Sequence, residues 1–359
     1  MSAAARTLMI MAGGTGGHIF PALSVAEYVR ARGWNVVWLG SRAGMEERIV
    51  PPQGYTMAYI RFSGVRGRGP LPYAFLPLRL LSAFWQSARA IFAHRPDVVL
   101  GMGGYVAFPG GMMASFLNRP LVLHEQNSVA GLTNKVLSHV ADKVLVAFPG
   151  AFGERSKAEW TGNPVRSDIA SIPEPQTRYA GREGPLRLLV LGGSQGAAAL
   201  NDVVPAALAL IDAGRRPIVT HQTGAAHMDT VRANYDAAGV RAELVAFIDD
   251  MAARYAEADV LICRAGASTI AELAAAGVPA VLIPFPHAVD DHQTTNARFL
   301  SQRGGAVLIP QSGLTPGKLA ALLGEFDRAK LLEMACAARG AGKPDATRAV
   351  AEACMGLAA

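Results

Sequence analysis

LMIMAGGTGGH, residues 8–18, is a short apolar run that breaks into glycines and opens a helical pattern. LRLLVLGGSQGA, residues 186–197, repeats the arrangement about half a chain later. Glycine lets backbone N–H groups converge on an anion at a helix N-terminus, where the helix dipole already favours negative charge. One such turn is a weak signal. Two of them, each closing a strand and opening a helix, predict two Rossmann-like halves facing each other across a cleft.

Outward from these turns, apolar runs predict strands over 7–12, 34–39, 55–60, 97–101, 120–124 and 143–147, then over 186–191, 216–221, 241–246, 259–263, 279–283 and 306–309. Helical patterns fall between most of them, as at 18–31, 105–117, 197–212, 251–257 and 268–276. Continuous apolar strands alternating with helices read as an α/β fold of two doubly wound parallel sheets. TGNPVRSDIASIPEPQTRYAGREGP, residues 161–185, is rich in Pro and Gly without a clear apolar period, and is read as the linker. This predicts a first domain over 1–165 and a second over 166–344, with an Ala-rich helical tail over about 345–359 able to pack on either.

The chain has 359 residues, half of them apolar, enough for two cores and too apolar for a disordered protein. MSAAARTLMI passes directly into the first strand, so no secretory peptide is expected, and no apolar stretch suits a spanning helix. Three cysteines, Cys263, Cys336 and Cys354, lack metal-type spacing and fit a reduced cytoplasm; Cys263 reads as a small buried hydrophobe. Residues 1–165 hold 16 Lys/Arg against 8 Asp/Glu, whereas 166–359 hold 18 against 20. The window between Glu47 and Asp97 has no acid but contains Arg48, Arg61, Arg66, Arg68, Arg79, Arg89 and Arg95. Such a surface suits lipid headgroups, a phosphorylated substrate or nucleic acid. Within it, residues 71–92 are apolar on more than one helical face: Leu78, Leu81, Trp85 and Phe92 on one side, Leu80, Phe84 and Ile91 opposite. A helix apolar all round is buried or meets lipid, and aromatics beside Arg79 and Arg89 favour an interfacial anchor.

The first turn makes a poor dinucleotide fingerprint, because Ile19 takes the third glycine position and the next strand ends in Ser41-Arg42 without an acid. A third turn, Gly101-Met102-Gly103-Gly104-Tyr105, ends another strand; with the first it could hold a diphosphate, or serve tight packing. DVLICRAGASTIAELAAAG, residues 259–277, joins a strand, a small-residue turn and a helix. Its Glu272 could accept from ribose hydroxyls, or form a capping box with Thr269. His287, Asp290, Asp291 and His292 cluster after a strand without the spacing of a standard metal site. His124 and Glu125 end a buried strand, where either could be a base and a satisfied structural histidine is commoner.

Together, GGTGGH at 13–18, GMGGY at 101–105, HEQN at 124–127, TGNPVR at 161–166, GGSQGA at 192–197, FIDDM at 247–251, CRAGASTIAELAAAG at 263–277, and Gln293 with Asn296-Ala297 closely resemble the MurG family. These transferases add N-acetylglucosamine (GlcNAc) to undecaprenyl-linked lipid I, giving lipid II. The resemblance implies a GT-B fold with the acceptor in the first domain and UDP-GlcNAc in the second, and a C-terminal helix returning to the first domain. It implies UDP-GlcNAc contacts from Thr15, Gly16, Gly17, Asn127, Arg166, Ser194, Ile248, Ala267, Ser268, Thr269, Ile270, Ala271, Glu272 and Gln293. Gly14, Gly103, Gly104 and Tyr105 would meet the acceptor diphosphate. His18, then Glu125, are the base candidates for an inverting transfer that uses no cofactor or metal. The expected location is the cytoplasmic face of the bacterial membrane, held peripherally on anionic lipid by Leu78, Arg79, Leu81, Trp85 and Arg89. Cell-wall synthesis or division proteins are the expected further partners, and nucleic acid is not. One departure stands out: His292-Gln293 replaces the adjacent glutamines frequent in the family. The competing readings are another GT-B nucleotide-sugar enzyme and a nucleic-acid-binding module.

Overall fold

The computed structural model describes residues 5–42, 44–62, 75–153, 156–193 and 196–358. The first of its two sheets contains β1 Thr7–Met11, β2 Asn35–Gly40, β3 Thr56–Tyr59, β4 Val98–Gly101, β5 Leu121–Glu125, β6 Lys143–Val146 and β7 Glu159–Trp160, in the order β3-β2-β1-β4-β5-β6-β7. The second contains β8 Arg187–Leu191, β9 Ile218–Gln222, β10 Glu243–Val245, β11 Val260–Cys263, β12 Ala280–Leu282 and β13 Ala306–Leu308, in the order β10-β9-β8-β11-β12-β13. Strands wind outward from β1 and from β8, then start again on the other side, and neighbouring strands pair in parallel. The reversal creates a switch point at β1/β4 and at β8/β11, and ligands of such sheets bind outside the carboxyl ends of the strands there.

The helices among the described residues are α1 Gly16–Arg30, α2 Glu46–Ile49, α3 Leu76–His94, α4 Ala107–Phe116, α5 Leu132–Leu137, α6 Ser167–Ala170, α7 Pro175–Tyr179, α8 Ala198–Ala209, α9 Met228–Ala237, α10 Met251–Glu257, α11 Ala267–Ala276, α12 His292–Ser301, α13 Pro316–Gly324, α14 Arg328–Ala341 and α15 Ala346–Leu357. Each predicted strand and each of the exemplified helices is present, shifted by only a few residues. β7, two residues at the edge, is too short to carry a pattern.

The chain divides into two compact units, Met1–Arg166 with Asp345–Ala359, and Ser167–Pro344. In the first, α15 buries Val350, Ala351 and Cys354 in the core formed by Leu8, Ile10, Ile19, Val98 and Leu100. Thr347 fastens this helix by donating to the Val165 carbonyl at 2.7 Å and accepting from the Val165 N–H at 3.2 Å. The second core centres on Leu188, Val190, Leu200, Val204, Val260 and Ile262.

The crossing from the first unit to the second, Arg166 to Ser167, falls within residues 161–185 as expected, but the rest of the segment folds into the units rather than forming a free connector. Val165 is buried in the first unit, and Ile169, Ile172 and Tyr179 are buried in the second. Hydrogen bonding rather than apolar period secures this segment: buried Arg178 donates to the carbonyls of Pro173 (3.0 Å), Tyr255 (3.4 Å), Ala276 (2.8 Å) and Gly277. The last two end α11, where a cation also complements the helix dipole.

Residues 71–74 of the predicted apolar helix, and Arg66 and Arg68, lie outside the described residues. Along α3, Ala83, Ser87, Ala90 and Ile91 are buried and Phe84 packs on Phe108, with ring centroids 5.9 Å apart. Leu78, Leu81, Trp85 and Phe92 are 63–66% exposed, which excludes the buried reading for this face. No helix among the described residues is long and apolar enough to cross a membrane.

Candidate active site

In the first unit the first and third glycine turns form one surface at the β1/β4 switch point. Gly104, at φ +82°, lies so close to Gly13 that a Cβ would overlap the Gly13 carbonyl oxygen. The Tyr105 ring covers Gly14, and the His18 ring lies against Gly103. Thr15 is the N-cap of α1 but its side chain makes no capping bond, and the first turn has no acid. This leaves the N-terminus of α1 without an acid or side-chain cap of its own, the arrangement that attracts phosphate. His18 Nδ1 is 3.2 Å from Thr15 Oγ1.

Glu46, fully buried, braces this turn from below. Its carboxylate accepts from the Gly14 N–H at 3.2 Å and from the Ser41 N–H at 2.9 Å. No sequence signal marks it, because its Gly14 partner is 32 residues away.

His124 and Glu125 prove to be framework. His124 Nε2 donates to the Gly162 carbonyl at 2.8 Å while Nδ1 accepts from Gln126 Nε2 at 3.2 Å. Burial lowers its pKa from 6.5 to about 4, and the Gly162 bond opposes this only partly. Glu125 is buried with both oxygens engaged: Oε1 accepts from the Asn127 N–H (2.9 Å), and Oε2 from the Gly131 N–H (3.0 Å) and Asn134 Nδ2 (2.9 Å). Such a carboxylate anchors the loop after β5 and is poorly placed to take a proton.

In the second unit, the turn after β8 is held by the Gly192 N–H bonding to the Gln222 carbonyl at 3.2 Å. At Gly196, φ +76°, a Cβ would overlap the Thr223 carbonyl oxygen. Ser194 lies outside the described residues, and the helix after this turn begins at Ala198.

At the neighbouring turn, Gly266 is the N-cap of α11 and no side chain caps it. Ala267, Ser268 and Thr269 therefore form its first turn, and Glu272 is the sixth helical residue. A capping box pairing Thr269 with Glu272 would need the helix to start later, so that reading fails. Ser268 Oγ is buried without a hydrogen-bond partner, as a hydroxyl awaiting a ligand would be. Ile270 is buried and its N–H bonds the Gly266 carbonyl, so with Ala271 it belongs to the scaffold presenting Ser268 and Glu272. Glu272 Oε2 accepts from the Tyr255 hydroxyl at 2.8 Å.

Gln293 Oε1 accepts from the N–H groups of Phe285 (2.9 Å) and Ala265 (3.3 Å), joining the start of α12 to the approach to α11. Asn296, buried, donates to the Ala265 carbonyl at 3.3 Å. Arg264, a cation unremarked in the sequence, donates to the Ile283 (3.1 Å) and Pro284 (3.3 Å) carbonyls over the Phe285 ring. Ile248 is buried between β10 and α10. In the loop before α12, Asp291 accepts from Thr294 Oγ1 at 2.6 Å. Among the described residues no group of three or more His, Cys, Asp or Glu is placed to hold a metal ion. The Cys263 thiol, at the end of β11, is pushed up to about 12 by burial and by Glu272, which fits an inert core residue.

Residues 8–146 match the N-terminal domain of glycosyltransferase family 28, and residues 187–350 its C-terminal domain. The chain is 62% identical over 354 residues, 99% of each protein, to the UDP-N-acetylglucosamine–N-acetylmuramyl-(pentapeptide) pyrophosphoryl-undecaprenol N-acetylglucosamine transferase of Cupriavidus metallidurans. It is 61% identical to the protein of that name from Ralstonia nicotianae, covering 98% of this chain and 97% of the relative. The crystal structure of Acinetobacter baumannii MurG superposes with a TM-score of 0.87 at 39% identity, covering 98% of this chain and 99% of that one. The chain belongs to the MurG family. Two Rossmann-like sheets with the domains of family 28 make it a GT-B glycosyltransferase, the fold class expected from its glycine turns. Of the residues matched to MurG motifs, Gly13 meets Gly104, Gly14 meets Tyr105 and His18 meets Gly103, with Thr15 bonded to His18. Asn127 follows β5, and Arg166 is the last residue of its segment of the first unit. Gln293 is tied to the residues just before α11, while Ile248 lies on a separate loop.

Proposed function

We propose that this protein transfers GlcNAc from UDP-GlcNAc to the 4-hydroxyl of the muramyl residue in undecaprenyl-diphosphate-linked MurNAc-pentapeptide, a step of peptidoglycan synthesis. The observation that carries this reading is identity near 60% over essentially the whole length to transferases of that name. The geometry suits it. The first unit offers a glycine-lined helix N-terminus to a diphosphate-linked acceptor, and the second offers the N-terminus of α11 with Ser268 and Glu272 to a nucleotide sugar.

The donor sugar is α-linked and the product β-linked, so one in-line displacement with inversion is required. The acceptor O4–C1 bond forms as the C1–O bond to UDP breaks. His18 would take the hydroxyl proton at Nε2, in the tautomer that keeps its proton on Nδ1, 3.2 Å from Thr15 Oγ1. Helix N-termini, Ser194 and Arg166 would take the charge that develops on UDP, and Glu272 the ribose hydroxyls. Thr15, Gly16 and Gly17 border the donor, Asn127 and Gln293 contact its sugar, and the Ile248 backbone meets uracil. Gly14, Gly103, Gly104 and Tyr105 cradle the acceptor diphosphate. The exposed α3 face of Leu78, Leu81 and Trp85, with Arg79 and Arg89, lies on anionic lipid at the cytoplasmic face of the membrane, where the acceptor is anchored and where cell-wall or division proteins would meet it.

The test is transfer of labelled GlcNAc to a short-chain lipid I analogue. A β-linked disaccharide product and free UDP are expected. Release of an epimerised sugar nucleotide, or no transfer to this acceptor, overturns the reading.

A further inference from the structure

We infer that Tyr255 is a positioning residue for the nucleotide ribose, acting through Glu272; this rests on Glu272 being the ribose acceptor. Tyr255 is on α10 and only 1% exposed, yet its hydroxyl reaches Glu272 Oε2, 17 residues on in another helix, at 2.8 Å. Glu272, the sixth residue of α11, is partly exposed. A carboxylate that receives two vicinal hydroxyls must hold one orientation, and an unrestrained glutamate loses side-chain freedom on binding. The Tyr255 bond removes that freedom before the ligand arrives. It also occupies a lone pair on Oε2, so the orientation is set from the buried side.

Tyr255 is itself fixed at its backbone. Arg178 donates to its carbonyl at 3.4 Å and, through Nη2, to the carbonyls of Ala276 and Gly277 at the far end of α11. Arg178 thus sets the register of α10 against α11, and the Tyr255 hydroxyl carries that register to one side chain. Arg178 thereby reaches the nucleotide without touching it.

Tyr255→Phe keeps the ring and removes one hydroxyl. Calorimetric titration of UDP and of 2′,3′-dideoxy-UDP is compared for the wild type, Tyr255→Phe and Glu272→Ala, with a thermal melt of each. Tyr255→Phe is expected to weaken UDP about five- to tenfold, to leave dideoxy-UDP binding unchanged, and to raise the KM for UDP-GlcNAc with kcat within about twofold. Glu272→Ala should lose the preference for UDP more completely. If Glu272→Ala loses the preference for the diol while Tyr255→Phe keeps it in full, Tyr255 merely satisfies its own hydroxyl and the inference falls while the ribose reading stands. Equal weakening of both nucleotides by Tyr255→Phe also overturns it, as general loosening. Unchanged selectivity in Glu272→Ala removes the ribose reading, and the inference with it.

Discussion

Glu272 shows how a single residue can be legible and misread together. Its spacing from Thr269 fits a capping box, but the helix begins at Ala267, and only three-dimensional placement decides between the readings. Its role now predicts that Glu272→Ala weakens UDP-GlcNAc by roughly 30- to 150-fold, the loss of a charged acceptor worth about 2–3 kcal/mol, beside a loss of stability of about 1 kcal/mol from the Tyr255 hydroxyl bond; calorimetry beside a melt measures both. Glu46 and Tyr255 were illegible because their partners are remote in sequence. The buried histidines predict a pH dependence. His124 and His221 both have pKa values lowered by burial from 6.5 to about 4. Between those values the unfolded chain binds more protons, so stability is full above about pH 6.5 and declines as pH falls towards 4, by up to about 3 kcal/mol for each histidine. Urea melts between pH 7.5 and 4.5 should show this slope, and His124→Gln should reduce it.

Among the elements, parallel strands were easy to read because helices cover both faces and leave continuous apolar runs. The segment around α7 was not, since Arg178 bonds to four carbonyls and such bonding leaves no periodicity. For α3 the sequence left two readings, buried or lipid-facing, and exposure decides against burial of the Leu78 face. Replacing Leu78, Leu81 and Trp85 by Ser or Gln should therefore leave the melting transition in place. It should abolish sedimentation with anionic vesicles, because inserted apolar side chains and arginines, about 1 kcal/mol per basic residue, supply that affinity. High salt should release the wild type. A variant that melts normally and still sediments would move the anchor elsewhere.

For the whole molecule, two glycine turns half a chain apart were sufficient to foresee both sheets, because a switch point and its helix recur in each. The chemistry proposed for them relies on helix ends and arginine, so transfer should persist in excess EDTA; loss restored by Mn²⁺ would contradict it. A last consequence concerns synthesis. The core of the first unit includes Val350, Ala351 and Cys354 from α15, although that helix is translated after the entire second unit. A nascent chain on the ribosome can complete residues 167–344 while the earlier-made half still waits for its closing helix. That half, which bears the apolar face of α3, stays incomplete until α15 has left the ribosome, so a truncation that removes residues 345–359 would cripple the portion of the protein made first.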